Sequence, residues 1–99
     1  MRARYIQYST ATSGTVSLTD TTDDIQLIHD AASLAVTMTI AFPSTPIDGQ
    51  TIYLQSVLGV TTLTLSASVG TIIGGITTLA AGSVCYYAYR ISNTKWYKV

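Results

Sequence analysis

The residues that could support catalysis are few, and their spacing matches no known catalytic arrangement. His29 is the only histidine in the 99 residues; it lies directly before Asp30, with serines elsewhere. A Ser-His-Asp arrangement also needs an activated serine, and no serine here lies in a nucleophile-elbow sequence. All 5 acidic residues are aspartates, so no glutamate can complete an acid-base pair. We expect no catalytic residue and no enzymatic activity.

Four aspartates, Asp20, Asp23, Asp24 and Asp30, could supply oxygen ligands to calcium. Their spacing does not follow the EF-hand loop pattern, and such clusters commonly cap and close turns instead. Gly74-Gly75 lacks the lysine and the helix start that a phosphate-binding loop needs. We therefore expect neither a bound metal nor a cofactor.

Aromatic side chains are the best candidates for contact with a partner. Tyr86, Tyr87 and Tyr89 follow one strand-like run, and Trp96 and Tyr97 follow another, so both faces of each run carry rings. Tyrosines stack on sugar rings or anchor protein interfaces. We assign Trp96 to the core and select Tyr87, Tyr89 and Tyr97 as contact residues. A subunit or capsid contact is favoured, and a glycan contact is the alternative.

The N-terminal end supplies the other candidate contact residues. Residues 1–14 are typical of a short strand or an anchoring arm that ends at a Ser-Gly break. We select Arg2, Arg4, Tyr5 and Tyr8 as the residues that would hold a partner. Basic residues lie near both chain ends and most acidic residues lie between them, so oppositely charged edges could meet between copies.

The low charge of the chain limits its partners. Charged residues make up 10% of the chain, against about 25% in ordinary soluble domains, and residues 49–89 contain none. A net charge of zero gives no electrostatic footprint for nucleic acid. The missing charge predicts a surface covered by identical copies; a serine- and threonine-coated surface is the alternative. Cys85 is the single cysteine, so it forms no internal disulfide and should be a small buried residue.

Residues 69–89 are uncharged and contain a Gly-x-x-x-Gly spacing, which resembles a helix-packing motif of membrane proteins. Threonines and glycines interrupt this segment, and its density of leucine, isoleucine and phenylalanine is low for membrane insertion. We expect no membrane span.

The segment 34–57 organises the predicted fold. Leu34, Val36, Met38 and Ile40 alternate with small polar residues, which predicts a strand with one buried face. A loop braced by two prolines, residues 43–49, leads to a second alternation at 51–55. We expect these two strands to form the centre to which the others are added.

Further strand signals, separated by turn residues, occupy residues 2–9, 15–19, 25–29, 61–66, 70–79, 83–91 and 95–99, with a hairpin turn at 92–94. No amphipathic helix and no sequence repeat is evident. The pattern predicts an all-β chain: a small antiparallel β-sandwich or jelly-roll-like barrel, with residues 15–99 as its single domain, assembling as a trimer.

The order of these segments resembles a module of phage tail fibres and virion surface proteins. The resemblance covers roughly residues 15–99 and is carried by Asp20-Thr-Thr-Asp-Asp-Ile-Gln-Leu-Ile, Val36-Thr-Met-Thr-Ile-Ala-Phe-Pro, Asp48-Gly-Gln-Thr-Ile-Tyr-Leu, Leu63-Thr-Leu, Thr71-Ile-Ile-Gly-Gly and Lys95-Trp-Tyr. It implies a β-rich structural domain of the virion, usually trimeric.

Two functions follow as expectations. The first is a non-catalytic virion surface protein that decorates the capsid or forms a short fibre, binding other virion proteins. The alternative is a fibre-tip module that binds a host receptor or surface glycan. Neither involves nucleic acid.

Overall fold

The computed structural model describes residues 3–99, which form nine strands and no helix. The strands are β1 (Arg4–Ser9), β2 (Ser13–Ser17), β3 (Asp24–His29), β4 (Ala35–Ala41), β5 (Thr51–Ser56), β6 (Val60–Ser66), β7 (Thr71–Ile73), β8 (Val84–Arg90) and β9 (Lys95–Lys98). Each overlaps a segment that sequence patterning predicts to be extended, so most of the predicted strand positions are confirmed. The predicted segment at residues 70–79 is a strand only at Thr71–Ile73, and its last residue, Leu79, forms an isolated bridge. Within the described residues, nothing forms a helix able to cross a membrane.

The chain winds as a β-solenoid of about 4 turns that alternates between two sheets. β1, β3 and β5 are parallel neighbours in a six-stranded sheet of order β1-β3-β5-β8-β9-β7, and β2, β4 and β6 form a parallel three-stranded sheet. Neighbouring strands belong to successive turns. Arg4 lies beside Asp24, 20 residues later, and Ile25 beside Ile52, 27 residues later. This unequal spacing explains why the sequence shows no regular repeat.

The predicted antiparallel β-sandwich or jelly-roll-like barrel is wrong. That prediction treated the turns as hairpins, whereas most of them carry the chain across to the opposite sheet. The loop containing Pro43 joins β4 in one sheet to β5 in the other, so the expected central pair does not form. Among the named strands, antiparallel pairing is limited to β5 with β8 and β8 with β9. β1, within the predicted arm, pairs with β3 along its whole length.

The hydrophobic core lies between the two sheets. In-register side chains stack from turn to turn, as Ile25 does on Ile52, and both are 0% exposed. Burial of such a side chain contributes about 1.5–3 kcal/mol. The ring of Phe42 packs edge-on against two others, with centroid distances of 5.5 Å to Tyr87 and 5.1 Å to Trp96. Trp96 is therefore a core residue, as its assignment predicted.

The predicted inward face of β4 is only partly confirmed. Met38 and Ile40 are buried, but Leu34 and Val36 are 50% and 62% exposed. The solenoid turns a corner here, and two successive residues of β4 face outward. Ala35 takes the inward position instead, because the corner shifts the alternation by one residue.

The two ends of the solenoid differ. At the C-terminal end, the β8–β9 hairpin inserts between β5 and β7. There the backbone of β6 also bonds to a later segment: Leu63 N–H donates to the Thr77 carbonyl, and Val60 and Leu79 exchange two bonds. At the N-terminal end, β1 and β2 are the outermost strands of their sheets. At the C-terminal end the short strand β7 is the outermost strand of its sheet, and a later segment covers part of the β6 edge, whereas the N-terminal end presents two longer strand edges.

Candidate functional site

A buried histidine and serine form the nearest approach to a catalytic pair. His29 Nδ1 lies 2.8 Å from Ser56 Oγ, and His29 Nε2 lies 2.5 Å from the Ala11 carbonyl oxygen. Because a carbonyl only accepts, Nε2 carries the proton and Nδ1 accepts from the Ser56 hydroxyl. Ser56 Oγ in turn accepts from Gly59 N–H at 2.9 Å. The pair links three successive turns of the solenoid.

This arrangement is closed to substrate. His29 is 1% exposed and Ser56 0% exposed, so neither atom pair reaches solvent. The third partner of the histidine is a backbone carbonyl, and Asp30 is exposed on the turn beyond it. The imagined Ser-His-Asp arrangement is therefore not assembled among the described residues.

Three aspartates hold backbone groups of neighbouring turns. Asp20 accepts from Ser44 N–H at 2.7 Å and from its hydroxyl at 2.6 Å. The Ser44 hydroxyl bond is the main cause that lowers the pKa of Asp20 below its ordinary value. Asp24 accepts from Thr51 N–H at 2.9 Å, and Asp48 accepts from Ile91 N–H at 3.0 Å. Residues 3–99 contain no cluster of His, Cys, Asp or Glu that could hold a metal.

The outward side of the six-stranded sheet carries an apolar surface, here called the aromatic face. Strand register places its side chains in rows across the sheet. Its members are Ile6, Tyr8, Ile28, Tyr53, Ile73, Val84, Tyr86, Tyr97 and Val99. The exposed fractions of Tyr8 and Val99 are 70% and 69%, and Ile6, Val84 and Tyr86 lie between 42% and 45%. Two glutamines of the same rows lie between these apolar side chains. An exposed cluster of large apolar side chains of this kind commonly marks a site of contact with a partner.

Ring contacts order the middle of the aromatic face. Tyr53 and Tyr86 form an edge-to-face pair with ring centroids 4.9 Å apart. The Arg4 guanidinium lies 4.4 Å from the centroid of the Tyr53 ring, a cation–π distance, and also donates to Gln26 at 3.2 Å. Asn93 donates to the Tyr97 hydroxyl. These contacts hold the rings in place before any partner binds.

The outward side of the three-stranded sheet has a different chemistry, and we call it the hydroxyl face. Register aligns three positions from each strand. These positions are Ser13, Thr15 and Ser17; Thr37, Thr39 and Ala41; and Thr62, Thr64 and Ser66. Neighbouring strands lie about 4.8 Å apart, and alternate residues of one strand about 7 Å apart. The face is therefore a flat, uncharged grid of hydroxyl and methyl groups.

The selected contact residues fall into different environments. Tyr8 belongs to the aromatic face, and Arg4 lies beside it on the same side of the sheet. Tyr97 also belongs to this face and is half-buried. Tyr5 belongs to an inward row but is 41% exposed, because no described strand packs over the first turn. Arg2 lies outside the described residues.

The selection of Tyr87 and Tyr89 as outward residues is wrong. They are 0% and 3% exposed, and the Tyr87 hydroxyl donates to the Gly74 carbonyl at 3.0 Å. Burial raises the pKa of Tyr87 above its usual range. The outward tyrosine of this strand is Tyr86. Its position could have been deduced, because a buried Cys85 places residues 87 and 89 on the same inward side of a strand.

Comparisons with known proteins add no relative: no family model, no curated protein and no solved structure matches this chain.

Proposed function

We propose that this chain is a non-catalytic structural protein of a phage virion surface, which decorates the capsid or forms a short fibre. Its copies associate as a trimer through the aromatic face. The observation that carries the proposal is the face itself: four large apolar side chains exposed by 40% or more, Ile6, Tyr8, Val84 and Tyr86, lie in two rows that contain no charge. The resemblance of the strand order to virion surface modules is the reason for assigning the protein to a virion.

Burial of the aromatic face between copies accounts for the low charge of the chain. Tyrosine and aliphatic side chains are typical of the centre of a protein interface, where charged residues are depleted. The charged groups of this face, among them Arg4 and Lys95, lie outside the rows of Ile6 and Tyr8. Contact between the apolar rows would remove rings from water and leave Lys95 near the rim, where it remains solvated, while the Arg4 guanidinium stays over the Tyr53 ring.

This arrangement supports binding through shape complementarity. The one Ser-His pair among the described residues is buried and joins turns of the solenoid. We therefore expect the surface to act by binding rather than by catalysis. The exposed rings are already held by Arg4 and by each other, which reduces the entropy lost when they bind.

Light scattering on the purified protein tests this association. We expect the wild-type mass to be a multiple of three chains. Val84→Lys places a charge in the uncharged row of Tyr8 and Ile28 on the aromatic face and should remove the threefold association, because an unpaired buried charge is costly. The matched control, Thr64→Lys, adds the same charge to the hydroxyl face and should leave the mass unchanged. A wild-type monomer, or a Val84→Lys mass equal to the wild type, would contradict the proposal.

The second candidate, a glycan-binding fibre tip, is favoured by the hydroxyl face. A flat neutral grid of hydroxyl and methyl groups suits an uncharged polysaccharide. Sedimentation with empty capsids and with host-surface polysaccharide separates the two functions. A structural protein binds the capsids only. A glycan-binding tip binds the polysaccharide, and Thr37→Val with Thr62→Val, which keeps the shape and removes two hydroxyls, weakens that binding by about tenfold.

A further inference from the structure

The backbone at the N-terminal end of the solenoid has unused hydrogen-bonding groups. The carbonyls of Ala3 and Ser9 accept from Asp24 and Asp30 N–H, both at 2.9 Å. Backbone groups alternate in direction along a strand, so those of residues 3, 5, 7 and 9 point towards β3. The N–H and C=O of Ile6 and Tyr8 therefore point the other way, where no described strand lies.

The edge of β2 has the same character. Leu18 N–H donates to the Ala41 carbonyl at 2.9 Å, so even-numbered residues face β4 and Thr15 faces away from it. Part of this edge is covered, since Gln7 donates to the Ser17 carbonyl at 2.9 Å and accepts from Thr19 N–H at 3.0 Å. Thr15 lies outside that cover. The first turn thus offers one edge from each sheet, running in opposite directions.

These edges lack the features that prevent an edge strand from pairing with another chain. Natural edge strands are protected by proline, lysine, bulges or covering loops. β1 and β2 contain no proline and no lysine, and Arg4 is their only charged residue. The inward row is open as well: Tyr5 is 41% exposed, whereas its in-register neighbours Ile25 and Ile52 are 0% exposed.

We propose that this open end binds the open end of a second copy, so that both sheets continue from one copy into the other. A two-fold axis perpendicular to the solenoid axis places β1 antiparallel to its counterpart and β2 antiparallel to its own. The occupant must supply two edges with the same separation and opposite directions. A second copy meets that requirement, whereas a single extended peptide completes only one sheet. A register centred on Ile6 places Arg4 opposite a tyrosine rather than another arginine.

Two substitutions of one residue test the proposal. Ile6→Pro removes the outward N–H and leaves the bonds to β3 in place, and proline is tolerated in edge strands. Ile6→Ala removes the same apolar side chain but keeps the N–H. By light scattering we expect an even number of copies for the wild type and Ile6→Ala, and half that number for Ile6→Pro. An odd-numbered wild-type assembly, or equal masses for the two variants, would overturn the proposal.

Hydrogen exchange on the wild-type protein gives a test that does not depend on a variant folding. The amides of Ile6, Tyr8 and Thr15 should exchange slowly in the assembled protein and faster on dilution. Rapid exchange at every concentration would show that the edges are free, and slow exchange that does not change on dilution would show that something other than a second copy covers them; either result would overturn the proposal.

The end-to-end contact uses the backbone edges of β1 and β2, and the trimer contact uses the aromatic face, so separate results can exclude each contact. Val84→Lys changes the threefold association, whereas Ile6→Pro halves the mass. A plain trimer would overturn the end-to-end contact and support the aromatic-face contact; a plain dimer sensitive to Ile6→Pro would do the reverse.

Discussion

Buried polar residues join the turns of this solenoid. His29 bonds to Ala11 in the turn before it and to Ser56 in the turn after it. Gln50, 0% exposed, donates to the carbonyls of Thr21 and Asp23 at 3.0 and 2.8 Å. Each of these residues is buried, but each has partners, so its burial does not carry the penalty of an unpaired polar group.

Ser56→Ala should lower the free energy of unfolding by about 2–4 kcal/mol, because it leaves His29 Nδ1 and Gly59 N–H buried without a partner. Urea denaturation measures the change. Ser66→Ala, the control, removes an exposed hydroxyl and should change stability by less than about 0.5 kcal/mol. Equal effects of the two substitutions would show that the His29–Ser56 pair does not stabilise the fold.

The β8–β9 hairpin lies between β5 and β7 at the C-terminal end of the solenoid. Its turn was predicted at residues 92–94, and the structure confirms it: Thr94 N–H donates to the Ile91 carbonyl at 3.3 Å between the two antiparallel strands. Thr94 has φ 51°, the only positive φ among the described non-glycine residues. Glycine commonly occupies a left-handed position of a hairpin loop, because a β-branched side chain is strained there.

Thr94→Gly should therefore raise the free energy of unfolding by about 1 kcal/mol, the strain that a left-handed threonine stores less the flexibility that glycine adds to the unfolded chain. Thermal unfolding followed by circular dichroism measures it. Ser92→Gly, in the same turn without a positive φ, should lower stability by about 0.5–1 kcal/mol. Destabilisation by both substitutions would mean that Thr94 is not strained.

The whole molecule is held by contacts between residues far apart in sequence. The parallel pairs of β1 with β3 and of β3 with β5 join residues 20 and 27 positions apart, and no described residue forms a helix. Such pairing requires closure of a long loop before any strand bond forms, which makes folding slow. In the resulting molecule the short strand β7 ends the six-stranded sheet on one side, and β1 and β2 present longer open edges at the other end.

Refolding should accordingly take milliseconds to seconds, in the range of all-β domains. Trp96, the single tryptophan, is 0% exposed and reports the event by stopped-flow fluorescence. Ser66→Ala should refold at the wild-type rate. Refolding within microseconds would argue that local contacts, and not pairing between turns, limit the rate.

The sequence by itself determined where the strands lie, the low charge, and the turn at residues 92–94. These properties are local, because alternation and turn residues act over a few positions. The partners of each strand were decided only by the tertiary structure. Alternation is the same in a hairpin and in a solenoid turn, so nothing near Pro43 reveals that β4 and β5 enter different sheets. The contact of His29 with Ser56, 27 residues later, likewise depends on how the turns stack, and so do the aromatic face and the open end.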